Sequence, residues 1–187
     1  MRIADFIEEF IVAEKWDNDV LIRNEEDNSS TLETSYGIKN QTFRLFIDSN
    51  EETELLFVYL FAPFSVVEGK SVDAALLFNY INVRFSYPGK LSLLDNGDIQ
   101  YVQIIDLENV VAPVALIKNM IATAINCFSY NIEQIAAVAL TRKTYEAIRE
   151  EYEKKDAANK LLKKRRDAQD GNIATAEGEE KSTNITP

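Results

Sequence analysis

Residues 78–106 read FNYINVRFSYPGKLSLLDNGDIQYVQIID, and the punctuation of this stretch decides the fold. Just upstream, Ala74, Ala75, Leu76, Leu77, Phe78 and Ile81 carry a helical run. Ser71 stands where an N-cap belongs, and Asp73 lies in the first turn, where a carboxylate meets the positive end of the helix dipole. The spacing predicts a helix ending near residues 82–85, ahead of Pro88 and Gly89, which cannot continue it. Residues 90–94 and 98–105 then read as strands around Asp95-Asn96-Gly97, a strong hairpin signal because Asn and Gly tolerate positive φ. Two registers are open. A two-residue turn sets Leu91 and Leu93 opposite Val102 and Ile104, whereas a three-residue loop with a glycine bulge sets them opposite Ile99 and Tyr101.

Working back toward the N-terminus, Pro63 is expected to stop a central strand over residues 54–61, ELLFVYLF, which carries aromatics on both faces. Residues 41–48, QTFRLFID, place Phe43, Leu45 and Ile47 on one side, and Asp48-Ser49-Asn50-Glu51-Glu52 supplies the turn that pairs these two strands as a hairpin. A weaker alternation over 31–38 and a short extended piece at 20–23 precede them, separated by a polar loop. Residues 3–16 form an amphipathic helix, with Ile3, Phe6, Ile7, Phe10 and Ile11 on one face.

Downstream, residues 109–140 are apolar and helical, with Ile117, Met120, Ile121, Ala124, Ile125 and Phe128 on a wide stripe. Ser129-Tyr130-Asn131 is expected to divide this run into two helices, Asn131 capping the second. Three domains follow: an α+β body at 1–150, a charged helical extension at 151–170 and a disordered tail at 171–187. In the extension, i,i+4 pairs such as Glu150 with Lys154 contribute only about 0.2–0.5 kcal/mol each, too little to hold a long free helix.

The chain has 187 residues, no histidine and one cysteine. Lacking histidine, it has no member for a Ser-His or Cys-His arrangement and none of the usual metal ligand, and one thiol makes neither a redox pair nor a thiolate cluster. No Gly-rich phosphate loop is present among six glycines. The carboxylate pairs, Glu8 with Glu9 and Glu51 with Glu52, sit in polar runs or on an exposed helix face and read as solvated charges. Asp95-Asn96-Gly97-Asp98 reads as a turn and not as a calcium loop. No catalytic residue, cofactor or metal is expected, and the protein is read as non-enzymatic.

Net charge is −11. From residue 151 onward eight basic and eight acidic residues cancel, so residues 1–150 carry the whole excess, a surface that repels nucleic acid and anionic lipid. The basic run Lys163-Lys164-Arg165-Arg166 lies among acidic residues and reads as a solvated helix end. The longest apolar run, residues 55–64, is too short to cross a bilayer, and the acidic N-terminus lacks a signal-peptide pattern, so a cytoplasmic protein is expected.

Asn79 and Asn82 fall at i and i+3 on an apolar helix, so each amide must be exposed, capping or bonded to nearby backbone. The expected roles are a bond from Asn79 to the loop before the hairpin and a helix end at Asn82; the alternative is a polar spot in a binding groove. The order helix, strands, helix, hairpin, helix, with Leu76, Asn79, Asn82, Gly89, Leu91, Leu93, Asp95, Gly97, Ile99 and Tyr101, resembles the YbjN family, described as bacterial sensory transduction regulators. The resemblance covers residues 1–140, and its specific part is the helix-hairpin unit.

That resemblance implies a fold similar to class I type III secretion chaperones, an α+β domain with a curved antiparallel sheet packed against helices, here with a C-terminal helical extension. It implies a protein partner held as an extended segment, admits a homodimer, and makes Asn79, Asn82 and Tyr101 the candidate structural or partner-binding residues. Two functions stand: a protein-binding module, chaperone-like or regulatory, and a small-molecule-responsive regulator with a pocket between sheet and helices.

Overall fold

A computed structural model of the chain describes residues 2–16, 19–110 and 112–180, with side chains as far as residue 163. Residues 181–187 of the expected tail lie outside the described residues. The elements run α1 (Ile3–Glu14), β1 (Leu21–Asn24), β2 (Ser29–Ile38), β3 (Gln41–Asn50), β4 (Leu55–Ser65), α2 (Ser71–Phe85), β5 (Lys90–Leu93), β6 (Asp98–Asp106), α3 (Ala115–Leu140) and α4 (Tyr145–Glu180). Two compact units result, Met1–Tyr145 and Glu146–Pro187.

The body is α+β. Its six strands form one sheet in the order β1-β2-β3-β4-β6-β5, with every neighbouring pair antiparallel. Period-two alternation sends Leu32, Phe43, Leu45, Ile47, Leu56, Val58, Leu60, Ile99 and Tyr101 to one face, where all are buried. On that side the helices contribute Phe6, Ile7 and Phe10 from α1, Leu77 and Ile81 from α2, and Ile117, Ala124 and Phe128 from α3. Each large side chain fully buried here stabilises the fold by about 1.5–3 kcal/mol. Phe43 meets Phe128 with ring centroids 4.9 Å apart, which ties α3 to the sheet.

Helix α1 has no side-chain cap of its own at Arg2. Glu51, at the turn after β3, supplies it from across the chain: Oε2 accepts from the Ile3 N–H at 2.9 Å and Oε1 from the Ala4 N–H at 2.8 Å. Glu51 therefore belongs to the fold and not to the solvated surface.

The hairpin at Asp95-Asn96-Gly97 takes the bulged register. Leu91 pairs with Tyr101 and Leu93 with Ile99. The Leu94 carbonyl accepts from the Gly97 N–H and the Leu94 N–H donates to the Asp98 carbonyl, both at 2.9 Å. Only Gly97 takes the left-handed conformation, at φ +85°, which a glycine bulge requires.

Three local expectations are corrected. Ser71 is the first helical residue and Lys70 the N-cap, because Asp73 is engaged elsewhere, accepting from the Lys70 ammonium and, at 2.9 Å, from the Tyr145 N–H. Pro63 does not stop β4; the strand continues to Ser65 through a register shift between Phe61 and Ser65, beyond the last β3 pair, where a missing N–H breaks no ladder bond. Residues 129–131 do not break α3, since the buried Asn131 amide donates to the Cys127 carbonyl at 2.8 Å and bonds the Tyr87 hydroxyl, satisfying itself inside a continuous helix. Helix α4 runs from Tyr145 to Glu180.

Candidate functional site

Helix α2 and the hairpin carry all three candidate residues, and two of them, Asn82 and Tyr101, tie the unit together. Asn82, half-buried, faces the outer edge of β5: Nδ2 donates to the Leu91 carbonyl and Oδ1 accepts from the Leu91 N–H, both at 2.9 Å. The amide thus acts as a one-residue strand partner for an edge that would otherwise show bare backbone. It does not end α2, which continues to Phe85. Asn79 is exposed, and no hydrogen bond from it to the loop before the hairpin is found. Tyr101 is fully buried, and its hydroxyl accepts from the Gly89 N–H at 2.8 Å. Burial pushes its phenol up to about 12, and the Cys127 thiol likewise to about 12, so both stay protonated and inert. Asn82→Ala is expected to cost about 2 kcal/mol, roughly 1 per lost bond, and Asn79→Ala less than about 0.5 kcal/mol, a contrast that urea unfolding resolves.

The opposite face of the sheet is different in kind. No helix of the body lies on it, yet its centre is apolar. Reading across the paired strands, one row runs Asp48, Phe57, Ile104; the next Glu33, Phe46, Tyr59, Val102, Lys90; the third Ser35, Arg44, Phe61, Gln100. Phe46, Phe57, Tyr59, Phe61 and Val102 are half-buried against one another and Ile104 is 54% exposed. The rings form a continuous array: Phe57 stacks with Tyr59 at 6.0 Å, Tyr59 with Phe61 at 6.4 Å, and Phe46 meets Phe61 edge-on at 5.6 Å. Arg44, Phe46, Asp48, Tyr59, Phe61 and Asp98 line an open depression of about 360 Å³ in this floor.

Charged groups at the rim differ in how they are satisfied. Asp98 accepts from the Ser65 hydroxyl at 2.7 Å and from Asn96, and lies near Arg44, which together hold its carboxyl below the usual range. Asp48 is the reverse: burial pushes it up, opposed only by a hydrogen bond with Thr31, and its Oδ1 has no hydrogen-bond partner. The Tyr59 hydroxyl is pushed up by burial and then by the Asp48 charge. The signs of the linkage follow. Asp98 lends stability above its unfolded pKa that is lost as pH falls through its lowered folded value, whereas Asp48 costs stability as pH rises through its raised one. Asp48→Asn is therefore expected to melt higher than the parent at neutral pH, the gap closing as pH is lowered through the raised Asp48 pKa; differential scanning calorimetry reads it directly.

On the helix side, a recess of about 90 Å³ beneath the start of α1 is lined by Ile3, Phe6, Glu51 and Leu107 among others. It is far smaller than the roughly 300–1,000 Å³ of small-molecule sites. Among the described residues no group of three or more His, Cys, Asp or Glu is placed to hold a metal, and no helix is long and apolar enough to cross a membrane.

Sequence reasoning passed over the aromatic face. Its signal was present in the odd positions of β4, Phe57, Tyr59 and Phe61, and in Phe46 between the core residues of β3. Aromatics on both sides of a central strand read as burial on both sides, and only the placement of the body's helices shows that none of them covers one side.

No family model and no curated protein matches the chain. Among solved structures, a chain of the HopA1–SchA chaperone–effector complex is similar to it at 16% identity and a TM-score of 0.44, covering 68% of this chain and 93% of that one.

Proposed function

We propose that the protein is a non-enzymatic, cytoplasmic binding module, chaperone-like or regulatory, that holds an extended segment of a protein partner on the helix-free face of its sheet. One observation carries the reading: Phe46, Phe57, Tyr59, Phe61, Val102 and Ile104 form a contiguous apolar array on the side of the sheet that no helix of the body covers. An antiparallel sheet with one solvated face normally alternates to polar residues there, and a large open apolar patch marks an interaction surface. Regulation of signal transduction, as the YbjN resemblance implies, would be one use of such capture. The small recess under α1 gives little support to a small-molecule regulator.

The test is a set of cross-linked partners from native lysate. A partner held by the parent chain is expected to be lost from Ile104→Asp and kept by Val12→Asp, which alters an exposed apolar residue on α1 instead. Both variants should keep the parent far-UV circular dichroism. Capture that survives Ile104→Asp would sink the reading.

A further inference from the structure

The aromatic floor is occupied by a cation at one end and not at the other. At the filled end the Arg44 guanidinium carbon lies 5.3 Å from the Phe61 centroid and 5.9 Å from that of Phe46, with a guanidinium nitrogen 3.9 Å from Asp98 Oδ2. A cation over rings, flanked by a carboxylate, is the arrangement this floor already stabilises. Four positions along β3 from Arg44, on the same face, Asp48 places a second carboxylate beside Phe57 and Tyr59, and here its Oδ1 has no donor. Oδ1 is buried with no donor, which costs stability, while the half-buried Asp48 side chain lines the open depression, so a cation entering there would compensate its carboxylate.

Charge selects the source of that donor. Residues 1–150 hold twelve Lys and Arg against twenty-three Asp and Glu, the −11 of the whole chain. A second copy would bring the same excess of negative charge to the face, as would a nucleic acid or an anionic membrane, whereas a basic segment is attracted to it.

We infer that the occupant of this face is an extended segment of a partner protein in which a lysine or arginine, set among apolar residues, lies over Phe57 and Tyr59 and pairs with the Asp48 carboxylate, so that Asp48 determines which segments bind. This rests on the sheet face being the binding surface, as proposed above. Apolar residues of the segment would cover the array, and the cation would complete at Asp48 what Arg44 completes at Asp98.

The experiment selects random peptides by display on the full chain and then measures one selected peptide by fluorescence anisotropy, with its basic residue intact or replaced by norleucine. Selected sequences are expected to carry Lys or Arg between apolar residues. Norleucine replacement and Asp48→Asn should each weaken Kd by about tenfold, and the Asp48→Asn effect should vanish against the norleucine peptide. The thermal midpoint of Asp48→Asn should not fall, which separates lost recognition from lost fold. Selected peptides without basic residues that are nonetheless lost by Ile104→Asp would leave the face standing and overturn the role of Asp48. Peptides indifferent to Ile104→Asp, or an empty selection, would overturn both. A dimer seen by light scattering that Ile104→Asp dissociates would make the occupant a second copy and overturn the inference.

Discussion

Gly89→Ala is expected to lower the melting temperature by about 4–24 °C, the equivalent of about 2–6 kcal/mol in a chain of this size. Gly89 does not have the positive φ of Gly69 and Gly97, so conformational freedom is not what it supplies. Space is. A Cβ built there overlaps the Val102 carbonyl and the Tyr101 ring. The carbonyl belongs to β6, held between β4 and β5, and the ring is fully buried, so neither yields cheaply. Backing Gly89 away would also pull its N–H from the Tyr101 hydroxyl 2.8 Å away, stranding a buried donor at about 1–3 kcal/mol, on top of about 1–3 kcal/mol for overpacking. Tyr101→Phe removes only the hydroxyl and isolates the first contribution, so it should cost about 1–3 kcal/mol. A Gly89→Ala protein melting within about 2 °C of the parent would show that the hairpin entrance shifts freely, contrary to the packing seen.

Much of this architecture is legible in the chain because local signals and tertiary packing agree. The 3.6-residue spacing of Ile3, Phe6, Ile7 and Phe10 and the alternation of Phe43, Leu45 and Ile47 each name a face that the structure buries. The hairpin was legible as a hairpin but not in its register, since Asn96-Gly97 serves either turn and the choice lies in whether Leu91 meets Tyr101 or Val102 across the strands. Asn131 misled because a side chain that caps one helix can equally bond back within another, and only burial beside Cys127 decides between them. The apolar face escaped for a similar reason. Whether Phe57 and Tyr59 lie under a helix or under water depends on which side of the sheet the crossings fall, a property of topology that no window of residues contains. Of the residues singled out in advance, Asn82 and Tyr101 hold the hairpin to α2 and to its own base, while Asn79 is left on the surface.

Phe128→Ala and Phe61→Ala, the same change on opposite sides of the sheet, are expected to divide stability from binding. Phe128 is fully buried on α3, and its ring packs on Phe43 at 4.9 Å. Its truncation leaves a cavity walled by helix backbone on one side and by β3 on the other, neither of which can collapse into it, so the cost should be about 3–5 kcal/mol and the melting temperature should drop by about 6–20 °C. Phe61 is half-buried on the open face, with Arg44 above it at 5.3 Å and Tyr59 and Phe46 beside it. Water already reaches its site, so truncation creates no closed cavity and should cost about 1 kcal/mol or less. It does, however, remove the floor on which Arg44 rests and interrupt the ring array, so binding of a selected peptide should weaken while the protein stays folded. If Phe61→Ala proved as destabilising as Phe128→Ala, the aromatic face would be part of the core. A stable Phe61→Ala protein with impaired binding is what a surface kept apolar for a partner requires.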